Sequence, residues 1–324
     1  MDEIKRIKQP VIAEYNRFND SFFNSLSSST LKLQSAIEKV MQSSGKHIRP
    51  LLVLLTAKAC GNITEKTINS AVLLELLHTA TLIHDDVIDE TKERRGVPSL
   101  NAFFDNRVSV LVGDYLLSSA LIRSIQTGDI RIMSIVSEVG KSLAEGEIRQ
   151  LEVAEEVILD EDSYLQVIQK KTAMLLSACA EIGAISTGAT NEQINCCRLF
   201  GEYLGYCFQI KDDVFDYFTD QHIGKPTGND IIEGKVSLPL LYSLNNEDNK
   251  DRSHYRQIIE DKDFTSQHIS ELIAFAKNSG GIEYAESRMR DFHRCAIENI
   301  LKLPDSESRN SLLLLADYVV ERKK

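Results

Sequence analysis

Residues 70–89 read SAVLLELLHTATLIHDDVID. From Ser70 to His84 almost every position is apolar or small, whichever face of a helix it would occupy. That pattern predicts a helix buried all round rather than a surface helix with one wet side. It ends on Asp85, Asp86 and Asp89. Residues i and i+4 of a helix lie one above the other, so Asp85 and Asp89 share a face with Asp86 beside them. The same pattern returns as Asp212-Asp213-Val214-Phe215-Asp216, again closing an apolar run. Like charges at this spacing repel by roughly a few tenths of a kcal/mol per pair, and by more where water is scarce. Two such clusters at the polar ends of apolar helices call for something cationic. Oxygen donors without Cys or His favour hard divalent ions, Mg²⁺ first, and Mg²⁺ on carboxylates shares its remaining positions with water and phosphate. Neither copy has the alternating Asp/Asn spacing, central Gly and closing Glu of an EF-hand.

Helical patterning continues through residues 107–125, 133–151, 163–188 and 199–218, while period-2 alternation and hairpin signals are absent. Six prolines leave long stretches open to helix, and Pro50 sits where the first turn of a helix tolerates it. No Ser/Gly-rich linker divides the chain. The expectation is therefore all-α, one large helical bundle around a central cavity, as a single domain over 1–324. The helices of 71–89 and 191–216 would form two walls of that cavity.

Composition narrows the function classes. A hydrophobic share of 43% with 26% charged residues is that of an ordinary globular chain. A net charge of −11 argues against nucleic acid or an anionic membrane as main partner. The six cysteines lack CxxC spacing and several fall in apolar runs, as reduced core thiols of a cytoplasmic protein would. The N-terminus has no signal-peptide h-region, and no uninterrupted apolar run reaches the ~18 residues of a transmembrane segment.

Several short elements then occur in a telling order: GKHIRP (45–50), HTATLIHDDVIDE (78–90), RRG (94–96), LVGDYLL (111–117), AEGE (144–147), KTA (171–173), FQIKDDVFDY (208–217) and GK…GND…EGK (224–235). Together they resemble the trans-isoprenyl diphosphate synthases, or polyprenyl synthetases, over most of the chain up to about residue 240. In that family the matching element usually opens with two glycines and has Arg after Lys. Ser44 and His47 stand at those places here, and neither is given a catalytic role.

The resemblance implies an isoprenoid-synthase fold. It also implies head-to-tail joining of isopentenyl diphosphate to an allylic diphosphate such as farnesyl or geranyl diphosphate. Ionisation of the allylic carbon–oxygen bond puts charge on the leaving diphosphate, which metal ions stabilise. The family uses three Mg²⁺ ions. By resemblance Asp85 and Asp89 bridge two of them and Asp212 holds the third, with Asp86, Asp213 and Asp216 supporting. Lys46, Arg49, Arg95 and His78 match the pocket for isopentenyl diphosphate. Arg94, Lys171, Lys225 and Lys235 match groups contacting the allylic diphosphate, Arg suiting bidentate recognition and Lys a point charge. Thr172 and Gln209 match polar groups whose dipoles face the allylic cation. The departing diphosphate takes the proton, so no protein base is required.

Taken singly, these residues have plainer readings: Arg94 and Arg95 as a surface basic pair, Lys171 as a solvated helix residue, His78 as a bonded core histidine. Product length rests on Ala80 and Thr81, about one turn below Asp85, with Leu77 and Leu73 extending the stripe. The family's short-chain enzymes carry bulky aromatics at those two positions. Small residues there imply a long product for a quinone side chain, about eight isoprene units by resemblance, from a homodimer with residues 107–125 as a possible interface. A shorter-chain synthase and a non-catalytic subunit of a heteromeric synthase are the alternatives. A class I terpene cyclase would replace the second Asp cluster, and a di-iron bundle would need Glu-x-x-His pairs that are missing.

Overall fold

A computed structural model describes residues 3–42, 45–94, 96–218 and 227–322. The chain opens with α1 (Glu3–Lys8), a 3-10 turn at Gln9–Val11, α2 (Ile12–Asn24), α3 (Leu31–Gln42), α4 (Ile48–Cys60) and α5 (Glu65–Ile88). A small ribbon of β1 (Glu93–Arg94) and β2 (Val97–Pro98) follows, then α6 (Leu100–Phe103), α7 (Asn106–Gln126) and α8 (Ile130–Glu155). Next, α9 (Glu161–Ile168) runs through a π-helical turn, Gln169–Ala173, into α10 (Met174–Ser186). The remainder comprises α11 (Asn191–Phe215), α12 (Asn229–Ile232), α13 (Leu238–Asn245), α14 (Arg252–Glu260), α15 (Ser266–Asn278), α16 (Gly281–Ile300) and α17 (Glu307–Glu321). The fold is all-α, as the patterning predicts. Two local features differ from the expectation: a two-stranded ribbon where no hairpin was expected, and a π-turn inside the run 163–188.

Internal contacts divide the chain into two compact units. One holds the described residues within Met1–Gly140, Ala178–Arg198 and Asn299–Leu315, the other those within Lys141–Ser177, Leu199–Glu298 and Ala316–Lys324. In the first, α4 and α5 supply the core: Leu51 to Leu55 and Ala71 to Leu74 are wholly inaccessible. Thr64 opens α5 with a reciprocal capping box, its backbone N–H donating to Thr67 Oγ1 at 3.2 Å. The helix stops because Glu90 turns into the left-handed region at φ 50°. Thr91 N–H then returns to the Asp86 carbonyl at 3.0 Å, closing a Schellman turn.

Helices α5 and α7 meet where α7 has no side chain: a Cβ on Gly113 would lie 2.2 Å from His84 Nε2. Val110, Leu111, Leu117, Leu121, Ile122 and Ile125 leave α7 with an exposed apolar stripe. By length and composition α7 is the one helix among those described that could cross a bilayer, although its sequence includes Arg107, Asp114 and Arg123. All six cysteines are free thiols, four of them buried.

Candidate active site

The first Asp cluster closes α5. Carbonyl groups at a helix C-terminus carry partial negative charge, so carboxylates there are disfavoured twice over and gain from any cation. The three members have different surroundings. Asp86 is 4% exposed, and the ribbon folds Arg94 back onto its Oδ1 at 2.6 and 2.8 Å. Asn101 donates to the carbonyls of Asp86 and Thr91 at 3.0 and 3.1 Å, fixing the turn. Asp85 is half-buried and Asp89 exposed. A cavity of about 60 Å³ beside them is bordered by Asp86, Arg94, His78, His47, Glu75 and Ser99. His78 is 9% exposed there, and Arg49 is half-buried on the first turn of α4. Lys46 is exposed just before that helix. His47, at φ 51°, packs its ring edge-on against Phe18 and Phe22, with Nδ1 3.4 Å from Glu75. On α5, Leu77 and Ala80 are buried, and half-buried Thr81 bonds its hydroxyl to the His78 carbonyl at 2.8 Å.

The second cluster, in the other unit, closes α11. Its middle member is again the buried one: Asp213 is 5% exposed and accepts from Tyr164 Oη at 2.6 Å and Gln209 Nε2 at 2.8 Å. Asp216 caps α12, its two oxygens accepting the backbone N–H groups of Asn229 and Asp230 at 3.0 and 3.2 Å. Asp212 is 42% exposed and meets Arg322 at 2.7 Å, whose guanidinium lies over the Phe208 ring. Gln209 Oε1 accepts from Thr172 Oγ1 at 2.7 Å. Lys171 is held by Glu147 at 2.6 Å and Gln150 at 3.0 Å, and Lys235 pairs with Glu233.

Two glycines let the π-turn that carries Lys171 and Thr172 sit tightly against its neighbours. A Cβ on Gly205 of α11 would come within 2.4 Å of the Ala173 Cα, and one on Gly146 of α8 within 2.9 Å of the Lys170 Cβ. A π-turn inserts a residue into the helical register and often marks a functional position. These groups border a cavity of about 450 Å³ with Lys171, Thr172, Gln209, Asp213, Asp230 and Lys235 at its polar side.

Charge in this unit is poorly compensated. Burial pushes the Asp213 carboxyl up to about 6 against the hydrogen bonds from Tyr164 and Gln209, with Asp212 and Asp216 adding to the rise. Burial, then Asp213 and Asp216, push Asp230 up to about 8 against the pull of Lys235. Both values exceed those of an unfolded carboxyl, so the folded protein holds more protons than the unfolded chain between about pH 4 and pH 8. The stability tied to these protons is complete at low pH and lost as pH rises through 6 and then 8. Asp230→Asn keeps the shape and removes the charge. In chelator it is expected to raise Tm by about 5 °C at pH 8.5 and hardly at all at pH 4.5. Calorimetry at the two pH values checks this, and equal shifts would contradict it.

An all-oxygen, cation-seeking donor set fits a hard divalent ion. Among the described residues no three His, Cys, Asp or Glu side chains converge into a metal cluster by themselves. Sequence reading singled out Arg95 and Lys225 as well, and both lie outside the described residues. It missed Glu147, Gln150, Tyr164, Asp230 and Arg322 as functional neighbours. Glu147 and Asp230 stand inside quoted motifs, and Tyr164 lies seven residues before Lys171, whereas Arg322 has no local signal.

Residues 30–275 match the polyprenyl synthetase family model. An octaprenyl diphosphate synthase of Haemophilus influenzae is 34% identical over 99% of this chain and 97% of its own. The crystal structure of a polyprenyl synthase from Caulobacter crescentus, complexed with calcium and isoprenyl diphosphate, is 29% identical with a TM-score of 0.93, covering 99% and 98% of the two chains. A geranylgeranyl pyrophosphate synthase from Bacteroides thetaiotaomicron is 42% identical with a TM-score of 0.86, covering 99% and 100%. The chain belongs to the polyprenyl synthetase family and is a prenyltransferase.

Proposed function

We propose that the chain, acting as a single catalytic domain, condenses isopentenyl diphosphate with farnesyl or geranyl diphosphate and extends the product to about eight isoprene units, as named for the octaprenyl relative. The two Asp-Asp-x-x-Asp clusters at helix C-termini, in a member of this family, carry the reading. The allylic carbon–oxygen bond breaks with its electron pair on diphosphate. The allylic carbon then bonds the terminal alkene carbon of isopentenyl diphosphate, and a proton passes to the departed diphosphate.

Asp85, Asp89 and Asp212 would hold Mg²⁺, three ions by family resemblance, with Asp86, Asp213 and Asp216 supporting them. Bound there, the ions supply Lewis-acid stabilisation of the leaving group. Lys171, Arg94, Lys225 and Lys235 bind the allylic diphosphate, and Glu147 with Gln150 aims Lys171. Lys46, Arg49, Arg95 and His78 bind the diphosphate of the second substrate. Thr172 and Gln209 turn their oxygen dipoles toward the developing cation. Ala80, Thr81 and Leu77 leave room for a growing chain. We take the enzyme to be cytoplasmic and its polyprenyl diphosphate to be destined for quinone side chains, and the exposed stripe of α7 to serve a homodimer, which sedimentation checks.

The 42% identity to a geranylgeranyl pyrophosphate synthase favours a second reading, a product of four units. Labelled isopentenyl diphosphate with farnesyl diphosphate and Mg²⁺, followed by thin-layer and mass analysis, separates the two. No prenyl product, or turnover untouched by excess chelator, would overturn the function itself.

A further inference from the structure

Both oxygens of the buried Asp213 accept from protein donors, Tyr164 Oη at 2.6 Å and Gln209 Nε2 at 2.8 Å. A carboxylate accepts only, so the face of the Gln209 carboxamide turned toward it must be the NH₂. The Gln209 carbonyl is thereby turned to Thr172, whose hydroxyl donates to it at 2.7 Å. Having spent its proton on Gln209, Thr172 Oγ1 has lone pairs rather than a hydrogen to offer the cavity that all four side chains border. Were Asp213 to turn away, the carboxamide could flip, and Thr172 would accept and aim its proton outward. A proton aimed at a developing allylic cation raises the barrier, whereas lone pairs lower it.

We propose that Tyr164 is a positioning residue for prenyl transfer: it holds Asp213 so that Gln209 and Thr172 keep the one donor–acceptor polarity that favours the allylic cation. The proposal rests on the function proposed above and deepens it. Tyr164 is 7% exposed and sits on α9, one turn before the π-turn that carries Thr172, so its hydroxyl reaches Asp213 from the element whose polarity it sets. Gly205 keeps α11 against that turn, and an added methyl there would push Gln209 from Thr172. Asp213 in this account also acts through Gln209, beside the supporting place at the metal ions proposed above.

The test compares the parent, Tyr164→Phe, Asp213→Asn and the double variant. Tyr164→Phe removes one oxygen and keeps the ring packing. It is expected to lower kcat about tenfold or more, since hydrogen bonds to charged groups are the stronger ones. KM for both diphosphates, and Mn²⁺ affinity measured without substrate, are expected to stay within about twofold, because no substrate or metal contact is lost. In the Asp213→Asn background the same change is expected to cost little further, the signature of one coupled unit. An equal loss in both backgrounds, an unchanged kcat, or Mn²⁺ affinity falling in step with kcat would each overturn the proposal. A second readout needs no turnover: the Gln209 side-chain amide resonances should move in Tyr164→Phe and in Asp213→Asn, and unmoved resonances overturn it. Should Tyr164→Phe not fold, Asp213→Asn alone decides by that shift. A parent lacking prenyl-transfer activity would count against the proposed function, and the resonances would still decide the positioning role.

Discussion

Asp85→Ala and Asp212→Ala are each expected to lower kcat by about a thousandfold, equivalent to about 4 kcal/mol of transition-state stabilisation. Both residues stand at helix C-termini, where the helix's own partial charge makes an unneutralised carboxylate costly and a bound cation favourable. Each lost carboxylate removes a hard oxygen donor from the cation that would offset leaving-group charge. The two variants differ in what else they disturb. Asp85 is half-buried, and truncating it relieves repulsion within its cluster. Asp212 is paired with Arg322, whose side chain is 11% exposed, so Asp212→Ala also strands a largely buried guanidinium. Thermal melts isolate that cost: Asp212→Ala should melt somewhat lower than the parent. Steady-state turnover at saturating Mg²⁺ is the measurement. Near-normal kcat in either variant would remove that residue from the metal assignment.

If the product has the proposed eight or so isoprene units, Ala80→Phe is expected to shorten it to three or four while sparing the chemical step, for reasons of buried area and volume. Each condensation adds five carbons, worth roughly 4 kcal/mol if fully buried at ~0.8 kcal/mol per carbon. A growing chain therefore keeps to an apolar path until side chains close it. Ala80 is 1% exposed and Leu77 2%, on the stripe of α5 that leads away from Asp85. Phenylalanine at Ala80 places an aromatic ring about one turn below the carboxylate, where the family's short-chain enzymes carry theirs. Overpacking costs about 1–3 kcal/mol of stability, so the variant should still fold. Chromatography of the dephosphorylated products reads the outcome. A wild-type product length would put the floor elsewhere and leave the long-chain reading without physical support.

Much of this protein is legible from residue order. The run from Ser70 to His84 carries apolar or small residues on almost every face, and the structure buries it except for half-buried Thr79, Thr81, Leu82 and His84. The i, i+4 spacing of the Asp clusters is local chemistry, visible before any coordinates. The ribbon at Glu93–Pro98 is not legible in the sequence, because strands of two residues carry no periodicity. The π-turn at Gln169–Ala173 is hidden for a related reason: Lys171 and Thr172 lie in a run whose composition continues as helix. Only packing reveals that Gly146 and Gly205 admit that turn at close range.

Residue order is enough to read off the helical class, the buried α5 and a set of carboxylates, lysines and arginines whose chemistry suits diphosphates and a hard cation. Tertiary structure decided which of those groups face inward. The middle Asp of each cluster is buried, Asp86 against Arg94 and Asp213 against Tyr164 and Gln209, a division the repeated pattern does not display. It also brought Arg322 to Asp212 across 110 residues of chain. The physical reason is separation in sequence. Helical periodicity is written within a turn or two, whereas a hydrogen bond between distant helices depends on how every intervening side chain packs.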